Sequence, residues 1–243
     1  MKTDLTAIVT FHREGLLAHA TLNSYLLSRN RAREQGIGVQ MLLLLDNADR
    51  QTVDVVRNHP DLTGDELILE TTAGDCGLAR NIGVSHASGT YVCTLDGDDL
   101  ISRDYFQRHV QYARSVPDCT ILHAELVVSF GGTEHYSHQL NPLTMPFSND
   151  LLLMVNPWIS AIFARREVLE QIPYEACSPR QTGYGFEDWH WACQTLAAGF
   201  EHRVVTETAY FYRVKSSGSM NQNSAALRAV VPPTRLFGVW GRA

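Results

Sequence analysis

The sequence lacks features that several classes of protein require. It contains no long block of Lys or Arg, and its 20 cationic residues are outnumbered by 26 Asp and Glu, which gives a formal net charge of -6 at pH 7. Because a nucleic-acid surface needs clustered cations, we expect no nucleic-acid partner. The five cysteines are odd in number and form no C-x-x-C pair, which favours reduced thiols in a cytoplasm.

Long apolar runs are also missing. The longest, MLLLL and LLLMV, are far shorter than the ~20 residues of a membrane-spanning helix. The first residues, MKTDLTAIVTF, lead into a strand-like run rather than into the apolar core of a signal peptide. We therefore expect a cytoplasmic location, and we expect any membrane association to be peripheral, at the inner face.

The first hundred residues contain a regular alternation of strand-like and helix-like segments. Apolar strand-like runs occupy residues 5–11, 39–47, 66–72 and 90–96. The run MLLLL is apolar on both faces, which is typical of a parallel strand covered by helices on both sides. The alternation predicts an α/β fold with an open, mostly parallel sheet flanked by helices. The ligand crevice of such a sheet lies at the carboxyl ends of its strands.

The second half of the chain has a different pattern. A helix is predicted at 103–115, and the strand-rich region 119–140 that follows carries a hairpin signal at Gly131 and Gly132. We expect the sheet to become mixed here. No segment has the composition of a long linker, so we expect a single domain over residues 1–243.

An acidic turn, LDGDD, follows the fourth predicted strand and contains Asp96, Asp98 and Asp99. Three neighbouring carboxylates repel one another unless a cation offsets their charge. Gly97 allows the backbone to turn tightly, so that Asp96 and Asp98 can converge on one hard divalent cation. The alternative is a solvated turn in which Asp99 and Ser102 cap the next helix.

Three segments in this order resemble the family 2 glycosyltransferases, which are inverting enzymes of the GT-A fold. GLARNIGVSHASGTYVCTLDGDD is similar to the family's G-x-x-x-A-R-N-x-G helix and D-x-D strand. FEDWHWACQTLAAGF is similar to its E-D helix, and YRVKSSGSM to its Y-R-x-x-x-x-S segment. The resemblance implies a nucleoside diphosphate sugar donor, expected to be UDP-linked, and a Mn²⁺ or Mg²⁺ cofactor. It also implies a saccharide or lipid-linked saccharide acceptor.

The resemblance assigns roles on the donor side. It places Asp98 and Asp96 on the metal, and it implies donor contacts for Phe11, Arg13, Asp46, Arg80, Asn81, Asp96, Arg213 and Lys215. The chain departs from the family where it reads D-N-A-D after the second strand, and Asp46 there has an Asx-turn as its alternative. Many relatives carry His at the position of Lys215. Because a charged Lys has no lone pair for a metal, we expect Lys215 to pair with phosphate.

The resemblance also assigns the acceptor side. Asp188 corresponds to the general base of the family, and Glu187 either orients it or holds an acceptor hydroxyl. Trp158 and Trp189 are assigned to the acceptor because aromatic rings offer stacking faces to sugars, although an aromatic on this helix is more often part of a core. The alternative for the two acidic residues is a favourable interaction with the dipole of a helix that begins there.

The resemblance predicts a hexosyl- or hexosaminyl-transferase with a nucleotide-sugar half at about 1–102, an acceptor half at about 103–226 and a tail at 227–243. We expect the polar segments 141–149 and 216–226 to become more ordered over a bound donor. Two alternatives stay open, a non-catalytic nucleotide-sugar-binding module and one catalytic domain of a larger polysaccharide polymerase. Nucleotidyl transfer is disfavoured because TFHREGLLAH lacks a glycine-rich cationic loop, and zinc at His190, Cys193 and His202 is disfavoured by spacing.

Overall fold

The computed structural model of the chain describes residues 2–132, 134–215 and 220–238. Its strands are β1 (Leu5–Phe11), β2 (Val39–Asp46), β3 (Leu67–Thr71), β4 (Tyr91–Asp96), β5 (Leu100–Ile101), β6 (Thr120–Phe130), β7 (His135–His138), β8 (Phe163–Arg165) and β9 (Glu201–Arg213). Its helices are α1 (Leu17–Glu34), α2 (Arg50–Arg57), α3 (Cys76–Ser85), α4 (Tyr105–Ala113), α5 (Arg166–Gln171), α6 (Pro179–Thr182), α7 (Glu187–Ala197) and α8 (Met220–Ala226). Two short 3₁₀ turns lie at Asn149–Leu153 and Arg235–Phe237.

The first half forms the predicted parallel sheet. Strands β3, β2, β1 and β4 lie side by side in this order, and every neighbouring pair is parallel. Helices α1, α2 and α3 connect them. The carboxyl ends of β1, β2 and β4 therefore meet at one edge of the sheet, which is where Phe11, Asp46 and Asp96 lie.

The second half makes the sheet mixed, as the sequence predicts. Strand β8 pairs antiparallel with β4 and β6, and β9 is parallel to β6 but antiparallel to β5. Strand β7 returns from the Gly131–Gly132 turn and pairs antiparallel with β6. The β6–β9 ladder contains a bulge, because Ala124 pairs with Val205 while Leu126 pairs with Ala209. One residue of β6 thus lies opposite three residues of β9.

Alternating side chains of the central strands build a core on each face of the sheet. Val9 points into a cluster that contains Tyr25 of α1 and Phe106 of α4. Its neighbour Ile8 points into the opposite cluster, which contains Trp191 of α7. A strand whose successive residues are both buried requires helices on both faces. Because helices pack on both faces of these strands, the edge of the sheet that carries the acidic turn is held in place.

Two local features position the ends of the helices near that edge. Asp75 caps α3, since its Oδ1 accepts a hydrogen bond from the Leu78 backbone N–H at 2.8 Å. Phe186 precedes α7 with φ 62° and ψ 56°, a left-handed conformation that is strained for a bulky residue. Because this residue comes immediately before Glu187 and Asp188, the strained turn sets the direction in which α7 starts.

The described residues include no helix long and apolar enough to cross a membrane.

Candidate active site

The acidic turn lies directly after β4 and packs tightly against β1. A Cβ atom at Gly97 would lie 2.5 Å from Cδ1 of Phe11 and 2.7 Å from the Thr10 carbonyl oxygen. Any other residue at this position would have to displace the backbone of β1. Glycine is therefore required here for close packing, and this packing holds the two flanking carboxylates at the carboxyl edge of the sheet.

Asp96 is held by two side chains. Its Oδ1 accepts a hydrogen bond from Nη2 of Arg80 at 3.0 Å, and its Oδ2 accepts one from Oγ of Ser160 at 2.9 Å. Arg80 comes from α3, whereas Ser160 precedes β8. The first carboxylate of the turn is thus fixed from both halves of the chain.

Asp98 forms an ion pair with Lys215, whose Nζ lies 2.7 Å from Oδ2 of Asp98. The side chain of Asp98 is 12% exposed and that of Lys215 is 28% exposed. Arg213 adds a second contact, because its Nε donates to the Asp98 carbonyl oxygen at 2.7 Å. The end of β9 and the residues directly after it therefore close one side of the acidic turn with positive charge.

Asp99 has a structural role that the sequence did not reveal. Its Oδ2 accepts from the Tyr210 hydroxyl at 2.8 Å, and its Oδ1 accepts from the Arg213 backbone N–H at 2.6 Å. The capping alternative is wrong, since α4 begins after Asp104 and Oγ of Ser102 accepts from the backbone N–H of Ala209. Asp99 instead fastens the turn to β9.

Burial changes the proton affinities of the turn. It raises the pKa of Asp98, and the hydrogen bond and charge of Lys215 oppose that rise. Burial, together with the charges of Asp98 and Asp96, raises the pKa of Asp99 well above its usual value. Burial also raises the pKa of Glu14, whose charge interacts with those of Lys215 and Asp98. The anions of this region are therefore costly, and positive charge is favoured beside them.

Arg80 links the acidic turn to α7. Its Nη1 donates to Oε1 of Glu187 at 2.8 Å, while its Nη2 reaches Asp96. Its side chain is 2% exposed, and its guanidinium lies 5.4 Å from the centre of the Tyr174 ring. Although the resemblance assigns Arg80 to the donor, both of its Nη atoms bind carboxylates of the protein. The resulting chain of contacts joins the D-x-D turn to the E-D helix.

Asp188 follows Glu187 in the first turn of α7 and is half-buried. Its Oδ2 accepts a hydrogen bond from Nδ2 of Asn156 at 3.1 Å. Burial, and then repulsion by Glu187, raises the pKa of Asp188 from 3.8 to about 7. A carboxylate with a pKa near neutrality can accept a proton from an attacking hydroxyl group.

The acidic turn suits a divalent cation. It offers carboxylate oxygens, which are the ligands that Mg²⁺ and Mn²⁺ prefer, and Asp98 already holds an ammonium group at 2.7 Å. Asp98 would hold the cation directly, and Asp96 would hold it directly or through water. No group of three His, Cys, Asp or Glu able to hold a metal occurs in the part of the chain that the structure describes. The remaining ligands would be phosphate oxygens and water, as is usual for Mg²⁺.

The other residues assigned to the donor differ in their availability. Arg13 is exposed at the carboxyl edge of the sheet, whereas Phe11 is 1% exposed. Asp46 is buried, and its carboxylate accepts from Oγ1 of Thr71 and from the backbone N–H groups of residues 73 and 74. These partners lie at the end of β3 and directly after it, so the Asx-turn alternative is wrong. Asn81 forms two hydrogen bonds with the backbone of Tyr174, at 2.8 and 3.0 Å.

The two tryptophans assigned to the acceptor lie partly in the core. Trp158 is 4% exposed and stacks on His202 with ring centroids 4.1 Å apart. Its contact with an acceptor would require this stack to open. Trp189 is half-buried, and its Nε1 donates to the Leu152 carbonyl oxygen at 3.0 Å. Trp189 therefore anchors the segment before Asn156 against α7.

Sequence reasoning missed four residues that complete the site, namely Glu14, Asn156, Ser160 and Tyr210. None of them belongs to the motifs quoted above. Asn156 and Ser160 reach the site from the loop before β8, Glu14 from the segment after β1, and Tyr210 from β9. The sequence offered a signal for Asn156, which is a polar residue directly before an apolar core segment in VNPW. Of the segment YRVKSSGSM, residues 216–219 lie outside the described residues.

The comparison with known families identifies the class of protein to which this chain belongs. Residues 6–176 match the profile of the family described as Glycosyl transferase family 2. The chain belongs to this family, which confirms the resemblance drawn from the motifs.

Two curated relatives match shorter segments. The uncharacterized glycosyltransferase EpsJ of Bacillus subtilis (strain 168) is 27% identical over 75 residues, which is 31% of this chain and 22% of that protein. An uncharacterized glycosyltransferase of Haemophilus influenzae is 28% identical over 96 residues, which is 39% of this chain and 38% of that protein. The matches therefore span less than half of either relative.

Solved structures of similar fold cover more of the chain. The structure of S. aureus TarS 1-349 in complex with UDP-GlcNAc superposes with a TM-score of 0.69 at 16% identity, over 90% of this chain and 61% of that one. The mannosyltransferase PcManGT from Pyrobaculum calidifontis, in complex with GDP-Man and Mn²⁺, superposes with a TM-score of 0.59 at 18% identity, over 90% and 59%. This likeness confirms the predicted fold class, a GT-A-like open sheet flanked by helices.

Proposed function

We propose that this chain is an inverting, metal-dependent glycosyltransferase with Asp188 as its general base. It transfers a hexosyl or hexosaminyl group from a nucleoside diphosphate sugar to a hydroxyl of a glycan or a lipid-linked saccharide. Membership of glycosyl transferase family 2 supports the transferase class. Residues 1–102 supply most of the donor site and residues 103–226 most of the acceptor site. We place the reaction in the cytoplasm, with any membrane contact peripheral and at the inner face.

One observation carries this proposal. Arg80 hydrogen-bonds both Asp96 of the acidic turn and Glu187 of α7, at 3.0 and 2.8 Å. These two motifs are separated by about ninety residues in the sequence, yet a single buried side chain joins them. A transferase needs two groups at the same site: one that stabilises the leaving diphosphate and one that accepts the proton of the acceptor. The Arg80 link supplies that proximity.

The reaction is a single displacement. The acceptor oxygen attacks the anomeric carbon, the bond from that carbon to the phosphate oxygen breaks, and the hydroxyl proton passes to the carboxylate of Asp188. The nucleoside diphosphate leaves with the electron pair of the broken bond, and the anomeric configuration is inverted. A divalent cation on Asp98 and Asp96 would stabilise the negative charge of the departing diphosphate. Arg213 and Lys215 add positive charge on the β9 side of the turn.

The donor base is proposed to be uracil. The TarS structure contains UDP-GlcNAc and supports a uridine donor, whereas the PcManGT structure contains GDP-Man and Mn²⁺. Binding should therefore be measured with UDP and with GDP, each in the presence of Mn²⁺ and of a chelator. We expect UDP to bind more tightly, and only with the metal. Equal affinity in chelator would contradict a metal-dependent donor site.

Variants at two aspartates test the site. Asp98→Asn should weaken metal-supported UDP binding at least ~10-fold, because the variant loses a charged ligand of the cation. Asp49→Asn is the matched control, since Asp49 caps α2 and Asn is an equally good cap. Unchanged affinity in Asp98→Asn would remove the metal assignment. The product of a transfer reaction should have the opposite anomeric configuration to the donor, and retention would exclude the single displacement.

A further inference from the structure

We propose that Lys215 acts as a built-in cation, which occupies Asp98 in the donor-free protein and gives it up to the divalent metal only when a diphosphate binds. The metal and the nucleotide then bind cooperatively, and the metal alone binds weakly. This inference rests on the proposed function and concerns the regulation of the same site.

The ion pair between Lys215 and Asp98 is the first observation. The Nζ of Lys215 lies 2.7 Å from Oδ2 of Asp98, and the carboxylate side chain is only 12% exposed. A partly buried pair of this length is stronger than an ion pair in open solvent. A divalent cation that approaches the same oxygen has to displace the ammonium group or bear its repulsion.

The partners of the neighbouring carboxylates are the second observation. Asp96 is held by Arg80 and Ser160, and Asp99 is held by the Tyr210 hydroxyl and a backbone N–H group. Arg80 is buried, Tyr210 and Arg213 belong to β9, and Ser160 is a half-buried residue with a short side chain. Lys215 differs from them, because it follows the end of β9 and its side chain has a long flexible stem. Asp98 is therefore the carboxylate of the turn whose partner can be exchanged.

A nucleoside diphosphate provides the alternative partner for Lys215. When the ammonium group of Lys215 leaves Asp98, it loses a negatively charged partner, and the phosphates of the nucleotide supply another. The exchange therefore leaves the number of ion pairs unchanged. Each ligand thus removes part of the cost of binding the other. Because such coupling is reciprocal, UDP should raise the affinity for Mn²⁺ by the same factor by which Mn²⁺ raises the affinity for UDP.

The test is a titration with Mn²⁺, followed by electron paramagnetic resonance of the free ion, with and without saturating UDP. The proteins are the parent, the neutral variants Lys215→Met and Lys215→Gln, and the charged variant Lys215→Arg. Arg50→Met is the matched control, because it removes one positive charge from an exposed side chain at the start of α2, outside the residues assigned to the donor. Thermal unfolding of each variant identifies any that fails to fold, and two neutral variants guard against that failure.

We expect Mn²⁺ alone to bind on the order of 10-fold more tightly to Lys215→Met and Lys215→Gln than to the parent, a factor within the usual range of coupling between sites. UDP should strengthen Mn²⁺ binding in the parent and much less in the neutral variants. Lys215→Arg and Arg50→Met should resemble the parent.

Equal Mn²⁺ affinity of the parent and both neutral variants, with UDP still coupled to the metal in the parent, would overturn the inference and leave the proposed function intact. An equal gain in Arg50→Met would also overturn it, because general electrostatics would then explain the effect. Absence of any Mn²⁺ or UDP binding by the parent would overturn the proposed function and this inference together.

Discussion

The guanidinium of Arg80 donates a hydrogen bond to Oε1 of Glu187 at 2.8 Å, across 107 residues of sequence. The Arg80 side chain is 2% exposed and that of Glu187 is 11% exposed. The pair therefore lies in the interior, where each charge depends on the other to offset the loss of its hydration. It also connects α3 to α7, and thus the donor side of the proposed site to the acceptor side.

Replacing Arg80 by Met should destabilise the protein by about 3–5 kcal/mol, because the carboxylate of Glu187 is left buried without its partner. Equilibrium unfolding in urea measures this loss. The double variant Arg80→Met with Glu187→Gln should recover part of the stability, since the unpaired charge is removed. A double variant as unstable as the sum of the two single variants would show that the pair contributes no coupling energy.

Asp188→Asn should abolish transfer while sparing donor binding. An amide has nearly the size of a carboxylate but cannot accept the hydroxyl proton, and losing a general base costs on the order of 10²–10⁴-fold in rate. Turnover with a verified acceptor and UDP affinity by calorimetry separate the two effects. Near-parent turnover would move the base elsewhere, with Glu187 the next residue to test.

The same variant should change how stability depends on pH. The pKa of Asp188 is raised from 3.8 to about 7 in the folded protein, so the folded state retains a proton that the unfolded state loses between these values. The contribution of this group to stability therefore falls as pH rises from about 4 to about 7. The melting temperature of Asp188→Asn minus that of the parent should therefore be larger at pH 8 than at pH 5. Each kcal/mol of this contribution corresponds to on the order of 2–4 °C. A constant difference at both pH values would contradict the raised pKa.

Asn156→Ala should shift the pH dependence of the reaction. The Asn156 amide donates to Oδ2 of Asp188, the proposed base, at 3.1 Å and thereby favours its ionised form. The parent rate should rise with pH to a plateau above about 7. In the variant the midpoint should move upward by about one pH unit. The control variant Asn58→Ala, at the exposed end of α2, should leave this midpoint unchanged. An unshifted midpoint in Asn156→Ala would limit Asn156 to a structural role.

His109→Phe should make the protein more resistant to acid. His109 is buried against Tyr105 and Phe163, and burial lowers its pKa from 6.5 to about 4. The unfolded chain therefore binds a proton below pH 6.5 that the folded protein does not, so the parent loses stability as pH falls from about 6.5 to about 4. Phe keeps the aromatic packing and does not titrate.

Melting temperatures at pH 7 and pH 5 test this expectation. The melting temperature should fall less between pH 7 and pH 5 in His109→Phe than in the parent. In the exposed control His138→Gln it should fall by as much as in the parent. The same drop in His109→Phe as in the parent would place the acid-sensitive group elsewhere. The buried pair of His123 and His202 is then the next site, since burial lowers both of their pKa values.

The sequence predicted the sheet and its motifs well, because both depend on local patterns. The apolar runs of β1 and β2 and the turn after β4 are legible from residue spacing alone. The partners of Asp99 were not predictable, since Tyr210 and Arg213 reach it across more than a hundred residues by way of an irregular strand pairing. The burial of Arg80 was missed for a similar reason, because its two carboxylate partners come from separate elements.

The bulge between β6 and β9 places two extra residues in β9 before this strand reaches the site. Residues 206–208 of β9 lie opposite Glu125 alone, and Glu207 among them has φ 59°. Removing two of these residues would preserve which side chains face each side of the sheet, because side chains alternate with a period of two. It would also leave Arg213 opposite Phe130, because β6 and β9 would then each advance by two residues between the pairs that flank the bulge. The site therefore depends on the register of β9 after the bulge rather than on the number of residues inside it, and a two-residue deletion here should keep Arg213 within reach of Asp99.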